Sequence, residues 1–331
     1  MQEQIKIATA SCSTKRARWV LAAVIGACLI ILPFVLQRVS EYYLFLATDI
    51  LAWALFAISF NLVLGYGGMM SFGHAAFFGV GAYTCALLLV KTSCPLFLAF
   101  LAGPVGAALV GLGIGYLSVR IKGVFYFALI TLSFAQLIYI LVYKWRSFTF
   151  GDDGIQGIPV PTWLSTDVSY LNYYFFALLI VLVCTYILWR ISRAPFGVML
   201  KSLRENPDRA TFVGIKVENY RLIAFVISAF FSGVAGVLFA LLQTSISPDI
   251  LFWGTSGDVI LMGLLGGMTL FLGPALGAAI MVLLNSFVTS YTEYWALCLG
   301  VILILIVLFF PKGVGGLIVE RYQERKKRKN S

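Results

Sequence analysis

Charge is what this sequence has least of. Asp, Glu, Lys and Arg make up 11% of 331 residues, against about 25% in an average soluble domain. With 61% hydrophobic residues and a mean hydropathy of +0.95, a 36.4 kDa chain cannot clothe itself in polar surface, and a bilayer removes that need. There is one histidine, His74, and no His/Cys/carboxylate group with metal-ligand spacing or Ser/His/Asp order of a hydrolase. The six cysteines, at 12, 28, 85, 94, 184 and 298, form no CxxC pair, which leaves them as small core residues. The nucleotide cradle G-x-x-x-x-G-K-[ST] is also missing, so any ATP chemistry would belong to another chain.

The alternating segments of roughly ten residues that build an outer-membrane barrel are absent too. Instead, apolar runs continue for about 20 residues, the length a helix needs to cross the hydrocarbon. The expected fold is therefore all-α and polytopic. Breaking the runs at charges, Gly and Pro gives ten spans, at 19–37, 43–64, 68–90, 95–119, 124–143, 171–189, 221–243, 256–270, 273–291 and 294–310. Ile25-Gly26-Ala27-Cys28 weakly resembles a lipoprotein cleavage box, but the apolar run continues to Leu36, so a retained first helix is expected.

The net charge of +10 does not point to nucleic acid, because the basic residues sit in short loops between spans and report orientation. With residues 1–18 inside and sides alternating, 20 of the 24 Lys and Arg fall inside; Arg38, Lys91, Lys144 and Arg146 are the exceptions. This divides the chain into a cytoplasmic tail (1–18), a transmembrane domain (19–310) with an external loop at 144–170 and a cytoplasmic loop at 190–220, and a basic cytoplasmic tail (311–331). Both termini are expected in the cytoplasm. The run Arg325-Lys326-Lys327-Arg328-Lys329 rests in water or on anionic headgroups.

Two connections carry no charge: Gly65-Tyr66-Gly67-Gly68, and the stretch from Gly266-Gly267 to Gly273-Pro274. They lie in similar places in the two halves of the chain, the signature of an internally repeated transporter with its pathway between repeats. The alternative is close helix packing through small residues. In the long inside loop, Asn206 is a favoured N-cap, Pro207 suits the first helical position, Asp208 suits the positive end of the dipole and Gly214 suits a stop. A two-turn surface helix follows, either a connector or a plug for a partner.

Asp208-Arg209-Ala210-x-x-x-Gly214 resembles the E-A-A-x-x-x-G coupling loop of ABC importer permeases. Ala194-Pro195-Phe196-Gly197, Arg204-Glu205-Asn206 and the segment from Tyr220 through Phe230-Phe231-Ser232-Gly233-Val234-Ala235-Gly236 resemble, more specifically, branched-chain amino acid permeases of the LivM type. So do the block from Asn61 through Ser71-Phe72-Gly73-His74 to Tyr83, Asp153-Gly154-Ile155-Gln156-Gly157-Ile158-Pro159, and Phe310-Pro311-Lys312-Gly313-Val314-Gly315-Gly316-Leu317. Five blocks in family order touch most of 43–318. Two stretches depart from the pattern: Gly266-Gly267-Met268-Thr269-Leu270-Phe271-Leu272-Gly273-Pro274 lacks one glycine, and Pro207-Asp208-Arg209 replaces an Ala/Glu-rich stretch.

The resemblance implies a subunit of the bacterial inner membrane, not itself an enzyme and with no cofactor of its own. It implies a second permease subunit, two ATPase subunits that carry ATP and Mg, and a soluble external substrate-binding protein. Coupling to the ATPases would fall to Arg204, Glu205, Asn206, Pro207, Asp208, Arg209, Ala210 and Gly214. Ionisable and polar groups inside spans default to functional hypotheses, which selects Asn61, Tyr66, Ser71, His74, Phe78, Asp258 and Gly266 as pathway residues. Against this stand the readings to be preferred for single residues: His74 as a packing histidine beside Ser71, and Asp49 and Asp258 as groups at the outer interface in water. Urea, short amides or a sugar are alternative solutes, and an ion-coupled secondary carrier is the alternative class.

Overall fold

The computed structural model describes residues 29–92, 94–121, 123–164 and 170–291, together with positions 26, 294, 297, 298, 300–302, 304, 308 and 313–316. Twelve helices run through the continuous part. They are α1 (Leu29–Val39), α2 (Glu41–Asn61), α3 (His74–Thr92), α4 (Leu96–Ser118), α5 (Val124–Lys144), α6 (Arg146–Thr149), α7 (Tyr170–Arg193), α8 (Pro195–Glu205), α9 (Pro207–Phe212), α10 (Val217–Gln243), α11 (Trp253–Gly266) and α12 (Gly273–Thr289). The one sheet among the described residues is a two-stranded antiparallel clip, β1 (Ile155–Gln156) on β2 (Ser245–Ile246).

The all-α membrane architecture is as expected, but the span count is not. Seven helices among the described residues are long and apolar enough to cross a membrane: α2, α3, α4, α5, α7, α10 and α12. Of the expected first span, α1 covers the part from Leu29 on; most of the tenth span, nearly all of both tails, Cys12 and Cys28 lie outside the described residues. The expected eighth span (256–270) is corrected to the 14-residue α11, which at 1.5 Å per residue covers about 21 Å of a hydrocarbon layer about 30 Å thick. Gly267, at φ +92°, ends it, and Pro274 in the first turn of α12 starts the return. The chain between β2 and Gly266 still passes from one end of the bundle to the other; Pro248–Leu251 forms a 3₁₀ turn on the way. The expected third span (68–90) is shifted as well: residues 67–73 are not helical and α3 begins at His74.

Three helices form the centre. About two-thirds of the apolar stretch is buried in α2 (67%), α3 (61%) and α10 (67%), against about a third in α4, α5, α7 and α12. Water gives no driving force between helices in lipid, so close backbone approach has to supply the attraction. Gly236 is the tightest case among the three central helices: a Cβ there would run into the carbonyl oxygen of Phe78 on α3. Around this centre, α4 packs on α3 and α10, while α7 and α12 pack on α2. Tyr173 on α7 donates its hydroxyl to Leu238 O on α10 at 2.5 Å. The four described cysteines, Cys85, Cys94, Cys184 and Cys298, are free thiols.

Candidate functional site

At its end α2 widens into a π-helical turn, Leu62–Tyr66, a rare geometry concentrated at functional sites. Its hydrogen bonds are irregular: Gly67 N donates to Leu62 O, Gly68 N to Leu64 O and Met69 N to Val63 O. Gly65 O is left for a side chain, and Arg204 on α8 donates Nη1 to it at 2.5 Å. One turn earlier on α8, the Lys201 ammonium lies 4.8 Å from the centre of the Tyr66 ring. On the other side of the break, Asn61 donates Nδ2 to Leu270 O at 3.2 Å, while its Oδ1 is buried without a partner. Leu270 belongs to the turn joining α11 to α12. That hairpin is close enough that a Cβ on Gly266 would overlap the carbonyl of Gly273, and Gly313 packs on Gly267. The two uncharged breaks and the inside loop thus meet at one end of the molecule.

Ser71 and His74 lie just beyond the break, fully buried. Gly73 N donates to Ser71 Oγ at 3.2 Å, and Ser71 lies 3.0 Å from His74 Nδ1. His74 Nε2 is 3.0 Å from Ser228 Oγ on α10. The Ser228 hydroxyl proton is committed to Ser59 O at 2.6 Å, so Ser228 accepts from Nε2–H and Ser71 donates to Nδ1. These partners assign a neutral Nε2–H imidazole with both nitrogens satisfied. The chain continues: Ser232 Oγ lies 2.9 Å from Ser59 Oγ, which donates to Phe56 O at 2.7 Å. The imidazole also meets Phe60, Phe77 and Phe225 edge-on, at 4.7, 5.3 and 5.5 Å. The group ties α2, α3 and α10 together, and Ser256 of α11 joins in by accepting from Ala75 N at 2.8 Å, which satisfies an otherwise orphaned helix N–H.

The remaining pathway candidates stand apart from these two sets. Phe78 is fully buried one turn up α3, 4.7 Å from Phe56 and 5.5 Å from both Trp53 and Phe239, so its neighbours are aromatic. Asp258 is half-buried on α11. Asp49 sits on the far half of α2 with Oδ1 buried and unpartnered. Asn61, Tyr66 and Gly266 therefore share the break, Ser71 and His74 share the hydrogen-bonded group, and Phe78 and Asp258 join neither. Among the described residues no group of His, Cys, Asp and Glu stands ready to hold a metal ion. Sequence reasoning missed Lys201, Ser59, Ser228, Ser232 and Ser256. The serines of α10, four apart, are a faint signal, but nothing local connects Ser228 to a histidine 154 positions away.

The inside loop is larger than the expected single short helix. α8 precedes it, and Asn206 then caps α9, accepting from Arg209 N at 3.0 Å, with Pro207 in the first turn. Gly214 closes the segment at φ +87°. Ala210 is buried, but Phe212 and Val213 are 90% and 81% exposed, the most exposed of the large hydrophobic side chains. Beside them a cavity of about 530 Å³ is lined by Ser202, Glu205, Asn206, Arg209, Ala210 and Val213, with Met199 and Ile215. Glu205, Asp208 and Arg209 face outward; Arg204, grouped with them from sequence, reaches inward to Gly65.

Residues 42–308 match the family described as branched-chain amino acid transport system / permease component. The chain belongs to this family. It is 30% identical over 307 residues to the high-affinity branched-chain amino acid transport system permease protein LivM of Salmonella typhimurium, covering 85% of this chain and 71% of that one. The Escherichia coli LivM is 28% identical over 306 residues with the same coverage. The LivH permease of Salmonella typhimurium is 26% identical over 293 residues, 80% of this chain and 91% of that one. No solved structure matches. As a permease of this family the chain is a multi-pass transporter subunit, and the matched region contains α2 through α12, with both breaks and the exposed loop.

Proposed function

We propose that this permease is the membrane-spanning subunit of an ATP-binding cassette importer for branched-chain or related amino acids, in a bacterial inner membrane. It pairs with a second, related permease, docks two ATPase subunits through the α8–α9 loop, and receives its solute from a soluble external binding protein. ATP and Mg are held by the ATPases. The observation that carries this reading is the double role of the loop. Its outer surface presents Phe212 and Val213 to water among Glu205, Asp208 and Arg209, an arrangement that persists in a soluble compartment when a partner covers it. Its inner surface holds the break in α2 through Arg204. A movement of the docked ATPase would thus be delivered to the π turn, and through Asn61 to the α11–α12 turn.

The excess of basic residues in this loop and in both tails supports a cytoplasmic placement for this end of the molecule and for both termini. Reporter fusions test that orientation: a C-terminal reporter active only outside would overturn it. Docking is tested by purifying the chain in mild detergent and identifying what comes with it. Recovery of ATPases and a sister permease is expected, with hydrolysis stimulated by leucine and the binding protein. Stimulation by urea, a short amide or a sugar, with leucine inert, would keep the importer and change its solute.

A further inference from the structure

At the elbow between α7 and α8, a cavity of about 610 Å³ is lined by Trp189, Arg190, Ile191, Arg193, Ala194 and Pro195. Its lining includes two arginines and no acidic residue. Arg193 lies 4.3 Å above the Trp189 ring, and Trp189 is stacked on Tyr186 at 6.0 Å, the aromatic pairing typical of a membrane interface. The floor adds to the positive potential: α8 starts here with an Ala at its N-cap, no capping side chain and no acidic residue in its first turn.

Running away from the cavity along α7, Leu179, Leu182, Val183 and Tyr186 are exposed at 63%, 49%, 50% and 60%. Their spacing of i, i+3, i+4 and i+7 puts them on one helix face, and Arg190 and Arg193, at i+11 and i+14, continue the same face. From Leu179 to Arg190 is about 16 Å of helix, close to the depth of one hydrocarbon leaflet.

We propose that this face is an anionic phospholipid site: a phosphate headgroup held between Arg190 and Arg193 at the elbow, with its acyl chain along Leu179, Leu182, Val183 and Tyr186. The positive cavity selects the headgroup charge, and the apolar row ending at it selects a lipid over free phosphate. The assignment to the cytoplasmic leaflet rests on the orientation proposed above; the site itself does not. Because α7 enters the loop through this elbow, an occupied site braces the arm that carries α8 and α9. Arg120 provides the contrast: it also lies over an aromatic ring, Tyr116 at 3.9 Å, but lines neither this cavity nor the one beside α9.

The test is retention of lipid by the purified full-length chain after equilibration with vesicles of equal phosphatidylglycerol and phosphatidylcholine, read by native mass spectrometry. One basic contact at a membrane surface is worth about fivefold, so the pair predicts roughly thirtyfold preference for phosphatidylglycerol. Arg190→Gln with Arg193→Gln should abolish the preference, Arg190→Lys with Arg193→Lys should keep most of it, and Arg120→Gln should leave it unchanged. Equal retention of both lipids by the wild-type chain, which needs no variant to fold, would overturn the proposal. So would an undiminished preference in the double Gln variant, or an equal loss in Arg120→Gln. Inorganic phosphate competing as well as the lipid would also overturn it, leaving an anion site without an acyl groove. No ATPase takes part in this assay, so failure of the importer reading would leave its result standing.

Discussion

Replacing Arg204 by Ala removes the side-chain hydrogen bond that ties the α8–α9 loop to the π turn, leaving the Lys201 contact with the Tyr66 ring in place. Met69 N is turned to Val63 O, so the Gly65 carbonyl has no backbone donor to fall back on. A hydrogen bond to a charged group contributes about 1.5–3 kcal/mol, and water entering the break recovers part of that. An uncoupling of roughly tenfold or more is therefore expected for any step in which the loop drags α2. In proteoliposomes holding the complete transporter, Arg204→Ala should retain its ATPases and its basal hydrolysis while losing most solute uptake. Arg204→Lys, which offers a point charge without the planar fork, should lie between the two. Wild-type uptake by the Ala variant would refute the link. Loss of ATPase binding would refute it differently, by placing Arg204 on the docking surface.

Three further expectations follow from named contacts. Phe212→Asp with Val213→Asp, deletion of 206–213, or Gly214→Arg should leave the chain inserted and folded but without bound ATPase, checked by co-purification. His74→Leu should lower the melting temperature in detergent, because it leaves the buried Ser71 hydroxyl proton without an acceptor at about 1–3 kcal/mol and removes the link to Ser228, which keeps its bond to Ser59 O; unchanged melting would mean the hydrogen-bonded chain does not hold the three central helices. Gly236→Val should abolish recovery of folded protein in size-exclusion chromatography, since its side chain has no room beside Phe78 O, and a monodisperse peak at wild-type yield would contradict the packing.

How much of this was legible in the sequence depends on the range of the interaction concerned. Long apolar runs announce themselves without reference to the rest of the chain, so α2, α4, α5, α7, α10 and α12 stand close to where the runs put them. The α9 cap was legible for the same reason, because Asn206 acts on a neighbour three residues on. The breaks were visible as uncharged glycine stretches, but not their extent. Residues 67–73 stay out of helix with their donors turned to irregular local acceptors and, for Phe72 N, to Thr131 Oγ1 on α5 at 3.2 Å, and no local rule supplies that last partner. α8 was missed because an apolar-run criterion passes over a helix that alternates buried Leu200 and Leu203 with exposed Lys201 and Arg204. The site is harder still. Asn61 and Tyr66 could be named from their types, whereas the pairing of Arg204 with Gly65 spans 139 positions and depends on a carbonyl freed by an irregular turn.

The central claim is that this permease works by docking ATPases on its loop and importing an amino acid. Reconstituting the complex co-purified through this subunit, and following ATP hydrolysis with and without leucine and the binding protein, tests it most directly. Co-purified ATPases and a sister permease are expected, with hydrolysis that rises with leucine and falls to its basal rate in Arg204→Ala. A lone homo-oligomer whose leucine uptake collapses when the ion gradient is dissipated would contradict it and mark the chain as an ion-coupled carrier.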